Sequence, residues 1–367
     1  MQHSRKAPDY TLITIVALLL SIGLVMVYSS STVMAEVDFH NPFHFFQRQA
    51  MWAVVGLLSM WFFASIPPWT WQKYARPIVL VVIVLLVLVV IPGIGIYRLG
   101  ARRWLGAGPL QFQPSEFAKF AFIMFLADYL SRNPREIRSF WRGLLPALLL
   151  LGLFFGLIML EPDLGTSLTL GGTAFLMLFA GGAELMHLGG LGFMGALGVL
   201  GLAFIDAERW SRITTFLNPW SDPSDSGYQI IQALLAFGSG GLFGVGLGRS
   251  RTKHFYLPER HTDMIFAVLG EELGFLGAAM VLLLFFAFAW RGYRIAVQAP
   301  DRFTSLLAAG VTSLITLQAA MNIAVVTASI PSTGIPLPFL SYGGTSLLIT
   351  LSGVGILLGV SRYSRQS

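Results

Sequence analysis

The sequence contains no cysteine. That excludes disulfides, thiol catalysis and cysteine-ligated metals. Charge is scarce too: 11% of the 367 residues are Asp, Glu, Lys or Arg, against roughly a quarter in a soluble domain. So little charge excludes an ordinary soluble fold, a disordered chain and a coiled coil. No internal repeat with a period of about 20–50 residues is visible. What the chain has instead is apolar surface, with 55% of its residues hydrophobic. These fall in long unbroken runs rather than the short alternating segments of a transmembrane β-barrel. At about 20 residues per crossing they suffice for about ten spans. The expected fold is an all-α, polytopic integral membrane protein, with residues 1–367 forming one domain.

The apolar runs lie at 11–29, 49–66, 76–96, 115–131, 143–160, 165–182, 187–205, 264–290, 304–328 and 343–361. The first follows Arg5 and Lys6, as a signal peptide would, and Val33-Met34-Ala35 is a permissive cleavage site. The many spans that follow favour an uncleaved first helix. The net charge of +6 is assigned to topology rather than to nucleic acid, because cytoplasmic loops collect Lys and Arg. With the N-terminus inside, thirteen of the 24 basic residues fall on the cytoplasmic side. An N-in, C-in arrangement follows, with a long extracytoplasmic loop, 206–263, between helices 7 and 8. Within it Tyr228 to Phe237 is apolar on a helical period, which predicts a helix on or in the membrane. Gly238 to Gly248 is rich in glycine and suits a re-entrant turn or close backbone packing.

Ionisable groups in a membrane protein are functional candidates by default. Four clusters stand out, all expected outside. The first is Arg102-Arg103-Trp104 with Gln113-Pro114-Ser115-Glu116 and Lys119. Pro114 and Glu116 mark a helix start. Glu116 and Lys119 share a face and read equally well as a local ion pair. The second, Glu161-Pro162-Asp163, reads most simply as a tight polar turn. The third is Tyr256-Leu257-Pro258-Glu259-Arg260-His261-Thr262-Asp263, running into an apolar helix. Asp263 is expected at the helix N-terminus, where an N-cap is the structural alternative. Glu271 and Glu272 follow inside the span and are candidates to face a water-filled cavity. His261 beside Asp263 invites a metal reading, which the missing ligand spacing weakens. The fourth, residues 331–345 (PSTGIPLPFLSYGGT), predicts irregular backbone at membrane depth, tolerated only when buried in protein or lining a cavity. Gln318 and Asn322 precede it on one helix face, and interhelical hydrogen bonding is their simpler reading. Basic residues near an outward cavity suit a phosphate-bearing ligand, which leaves a transporter and an enzyme both open.

Six segments carry a resemblance. They are GLVMVYSSS at 23–31, ARRWLGAGPLQFQPSEFAKF at 101–120, EPDLGTS at 161–167, NPWSDPSDSGYQIIQALLAFGSGGLFGVGLGRS at 218–250, YLPERHTD at 256–263 and TGIPLPFLSYGGTS at 333–346. In this order, over nearly the whole chain, they resemble the SEDS proteins (shape, elongation, division and sporulation), the FtsW/RodA group. The resemblance implies a peptidoglycan glycosyltransferase of the bacterial cytoplasmic membrane. Such an enzyme polymerises lipid II, a disaccharide-pentapeptide on undecaprenyl diphosphate, at the outer face. Its implied partners are a class B penicillin-binding protein and other divisome or elongasome proteins. By motif, Asp263 matches the family's essential aspartate, and Glu116 and Lys119 its polar pair. Asp263 would then be a general base, and cations would stabilise the leaving diphosphate. Arg102, Arg103, Lys119, Arg212 and Arg260 are candidates for that task. A divalent cation, Mg or Mn, could share it, but no ligand set is legible. Gln113, Ser115, Glu161, Asp163, Glu259, His261, Asn322 and Ser341 complete the candidate substrate contacts. Asn218-Pro219-Trp220 and residues 246–250 look like the division and sporulation branch, whereas Pro258 to His261 looks like the elongation branch. Met264 departs from the family's usual Phe. A lipid II flippase is the rival function; it needs no catalytic base.

Overall fold

The computed structural model describes residues 6–98, 100–107, 110–223, 227–250 and 261–364. Glu259 and Arg260 lie outside the described residues. Each of the ten apolar runs coincides with one helix. These are α1 (Tyr10–Phe39), α2 (His44–Ser65), α3 (Pro68–Val90), α4 (Pro114–Arg132), α5 (Leu145–Leu160), α6 (Leu164–Ala180), α7 (Leu185–Ile205), α10 (Ile265–Val297), α11 (Arg302–Val326) and α12 (Gly344–Ser361). Two more helices, α8 (Ala207–Leu217) and α9 (Tyr228–Gly240), lie between α7 and α10. Among the described residues seven helices are long and apolar enough to cross a membrane: α1, α3, α5 with the π turn before it, α7, α10, α11 and α12.

Local signals set the helix starts. Asp9 and Asp163 cap α1 and α6 by accepting from Leu12 N and Thr166 N, and Asp301 closes a capping box with Thr304 on α11. Each cap satisfies amide donors that the helix leaves free. Pro68 and Pro114 stand in the first turn of α3 and α4, where a missing N–H costs nothing. The apolar α12 is buried almost all round, packed against α2, α4, α10 and α11. A helix that is apolar on every side belongs at the centre of such a bundle. By contrast α7 is largely exposed and packs mainly on α6 and α8 among the described residues.

Helix α10 is broken at Gly274 (φ 68°, ψ −168°). The chain after α9 runs across this break. Val245 N and Gly246 N donate to the carbonyls of Glu271 and Glu272 at 3.0 and 3.1 Å. Phe275 N and Leu276 N donate to those of Gly241 and Leu242 at 2.9 and 3.2 Å. A Cβ on Gly274 would stand 2.3 Å from Gly244 N, so the approach requires glycine. The close backbone packing expected at 238–248 is thus present. Glu271 and Glu272 are both buried: Ser29 donates to both Glu272 oxygens at 2.7 and 2.6 Å, and Ser250 Oγ donates to Glu271.

Two elements depart from the sequence reading. Between α3 and α4 the described residues form a three-stranded antiparallel sheet, β1 (Ile96–Arg98), β2 (Ala101–Ala107) and β3 (Leu110–Phe112), in that order. Strands of three to seven residues leave too little alternation to read from a sequence. Helix α8 stands where the sequence predicts a loop, because its polar residues resemble one.

Candidate active site

The polar side chains gather at two ends of the bundle. At one end the contacts are ordinary anchors: Arg291 Nε to Asp9 Oδ2 at 2.6 Å, Gln72 to Asp128 at 3.0 Å and Trp69 Nε1 to Asp301 at 2.8 Å. The other end holds the N-termini of α4, α6, α10 and α12, the C-termini of α5 and α11, and helices α8 and α9. Every described candidate residue sits there.

Part of the set joins the sheet to the α5–α6 turn. Arg103 donates to the carbonyls of Glu161 at 2.8 Å and Pro162 at 2.6 Å. Gln113 Nε2 donates to Ser115 Oγ at 3.0 Å and Asp163 Oδ2 at 3.1 Å. Asp163 also accepts from Thr166 N and Oγ1, both at 2.9 Å, so its carboxylate is committed to the turn. Arg102 stands 5.7 Å from the centre of the Tyr97 ring. The Glu161 carboxyl is wholly buried, and neither oxygen meets a partner at hydrogen-bonding geometry. Burial first, then the Asp163 carboxylate, push its pKa up to about 8, against an opposing pull from Ser115 and Arg103.

A second part runs inward from α4. Lys119 Nζ lies 2.8 Å from Glu116 Oε1, and both residues are buried. The same ammonium donates to Gln318 Oε1 at 3.1 Å, and Gln318 Nε2 donates to the Pro336 carbonyl at 3.0 Å. One turn on, Asn322 Nδ2 donates to the carbonyls of Ile335 and Asp263, each at 2.7 Å. The pair read from a shared helix face is therefore real. As placed, it is enclosed rather than presented to a ligand.

Asp263 does not cap α10. That helix begins at Ile265 with Met264 at the cap position and no side-chain cap bond. Asp263 belongs to the turn before it, half-buried. Thr262 Oγ1 donates to Asp263 Oδ1 at 3.4 Å. This turn borders a cavity of about 360 Å³ lined by Glu208, Ser211, Arg212 and Thr215 of α8, Gln229 and Ile230 of α9, and Ser332 and Gly334. Arg212 is oriented there by Glu208, 2.8 Å away, and by the Ser332 carbonyl at 3.5 Å. Of the described cationic candidates, Arg212 is the one that borders the same cavity as Asp263. Glu208, Gln229, Ser332 and Gly334 were not singled out in the sequence; they meet Asp263 only through the packing of α8 and α9. His261 is buried with its ring 4.7 Å from that of Phe45. No group of three or more His, Asp or Glu converges among the described residues. They offer no ligand set for a divalent cation, and no step is assigned to one.

The chain is similar to known proteins over nearly its whole length. A family model of the FtsW, RodA and SpoVE proteins, described as cell cycle proteins, matches residues 10–366. The stage V sporulation protein E of Bacillus subtilis (strain 168) is 50% identical over 365 residues, covering 100% of both chains. A probable peptidoglycan glycosyltransferase FtsW of Geobacter sp. (strain M18) is 44% identical over 98% of this chain and 99% of its own. Among solved structures, a chain of a peptidoglycan synthase complex that coordinates polymerization and crosslinking superposes with a TM-score of 0.81. It is 31% identical over 98% of this chain and 99% of its own. The rod shape determining protein RodA of Thermus thermophilus gives a TM-score of 0.72 at 30% identity, again over 98% and 99%. The chain belongs to the FtsW/RodA/SpoVE family.

Proposed function

We propose that the protein is an inverting peptidoglycan glycosyltransferase of the bacterial cytoplasmic membrane. It crosses the membrane ten times, with both termini inside, and polymerises lipid II at the outer face. The relatives named peptidoglycan glycosyltransferase and the similarity to a chain of a peptidoglycan synthase complex support this reading. The observation that carries the mechanism is one cavity bordered by both Asp263 and Arg212. A carboxylate there serves as general base, taking the proton from the acceptor's 4-hydroxyl. The freed oxygen attacks the anomeric carbon of the α-linked donor from the opposite face. The bond to the lipid diphosphate breaks, and the β-1,4 link forms. Charge grows on the departing diphosphate, where a fixed guanidinium is worth most. Arg212 supplies it. Glu116 and Lys119 act behind the site by holding Gln318, which in turn holds the Pro336 carbonyl.

The partner is a class B penicillin-binding protein that crosslinks the new strands. The role is septal or sporulation wall synthesis, in keeping with the stage V sporulation relative. The purified chain, with its penicillin-binding partner, should polymerise lipid II, and Asp263→Asn should abolish polymer while the protein still folds. Near-normal polymer from that variant would sink the assignment.

A further inference from the structure

Three consecutive carbonyls hold the Asp263 turn. Tyr342 N donates to His261 O at 2.8 Å, Ser341 Oγ to Thr262 O at 2.5 Å, and Asn322 Nδ2 to Asp263 O at 2.7 Å. Two of the three donors belong to residues 341–342, in the irregular stretch before α12. That stretch has no helix or strand of its own to fix it, so something else must.

Gln49 of α2 does so. Its Nε2 donates to Ser341 O at 3.0 Å, and its Oε1 accepts from Gly343 N at 3.2 Å. The residue is buried. Both ends of one amide thus bracket Tyr342, whose own amide holds His261. The Ser341 hydroxyl is used twice, accepting from Leu337 N at 2.8 Å and donating to Thr262 O. It therefore works within the protein rather than as a ligand contact. The stretch is also pressed from both sides. A Cβ on Gly23 would stand 2.3 Å from Phe339 O, and one on Gly344 2.3 Å from Trp52 Nε1. Phe339 has a φ of 66°, a conformation unusual for a bulky residue and kept only where the surroundings over-determine it.

We propose that Gln49 is a positioning residue for Asp263: its side-chain amide clamps residues 341–343, which in turn fix the carbonyls of the catalytic turn. This rests on the reading of Asp263 as the base. A misplacement of about 1 Å can cost about 100-fold in rate, so the effect belongs in kcat. Gln49→Leu removes both hydrogen bonds at similar volume. Gln49→Glu keeps the acceptor for Gly343 N and can donate to Ser341 O only while protonated. Burial favours the protonated form of such a carboxyl.

The test is lipid II polymerisation by the purified full-length protein with its penicillin-binding partner, alongside thermal unfolding. Gln49→Leu should lower kcat by at least about tenfold with KM nearly unchanged. For Gln49→Glu, activity relative to the native protein should fall as pH rises. A filler residue would produce no such pH dependence. Should Gln49→Leu fail to fold, Gln49→Glu across pH still decides. The proposal is overturned if Gln49→Leu keeps kcat within about twofold while Asp263→Asn is inactive. It is also overturned if only KM rises, or if the relative activity of Gln49→Glu is flat with pH. An active Asp263→Asn overturns the function itself instead.

Discussion

Replacing Lys119 with Met probes the enclosed ion pair. Lys119 Nζ is 2.8 Å from Glu116 Oε1 and 3.1 Å from Gln318 Oε1, and both members of the pair are buried. Met keeps most of the volume and removes the charge. It leaves the Glu116 carboxylate buried without its cation, which costs about 3–5 kcal/mol. Scales for charged groups inside membrane helices give a similar figure, about 2.5–3.5 kcal/mol. Losing one hydrogen bond of ordinary net worth would cost only about 1 kcal/mol, so the orphaned charge dominates. The double variant Glu116→Gln/Lys119→Met removes that charge as well, and it should be more stable than Lys119→Met alone. The coupling between the two sites should reach about 1–3 kcal/mol. Reversible unfolding in mixed detergent micelles, followed by tryptophan fluorescence, gives each free energy. A cost below about 1 kcal/mol for Lys119→Met, or strict additivity in the double variant, would refute the buried pair.

Two further outcomes follow from the same end of the bundle. The pKa of Glu161 is raised to about 8 in the folded protein from an ordinary 4.5, so between those values the folded state holds the extra proton. Stability should therefore fall as pH rises from about 4.5 to 8; Glu161→Gln should flatten that fall in melting temperature, and an unchanged slope would contradict the burial. Gly23→Ala should force the backbone at Phe339 to move, since the new Cβ would lie 2.3 Å from its carbonyl oxygen and 2.8 Å from Leu340 Cα. It should cost about 1–3 kcal/mol and lower polymerisation, whereas native melting and activity would show that the contact is loose.

The apolar runs located every long helix because hydrophobic length and periodicity are local properties. Local caps were equally legible: Pro114 and Glu116 marked the start of α4, and spacing alone put Glu116 and Lys119 on one face. The irregular backbone at 331–345 followed from its prolines and glycines. Sequence by itself could not say what each polar group faces. The sequence places Asp263 at a helix N-terminus, yet the helix starts two residues later and the turn is held by donors more than fifty residues away. Nor does it show that the donor groups of Asn322 and Ser341 go to backbone carbonyls. Gln49 has no local signature, because one glutamine in an apolar helix looks like any other. Nor did Arg212 have a reason to meet Asp263 until α8 and α9 folded over the end of the bundle. Charge and hydrophobic length determined the class, the helices and the candidate residues. Only long-range packing decided which of them border a cavity and which serve as braces, because a hydrogen bond between distant segments leaves no trace in the order of residues.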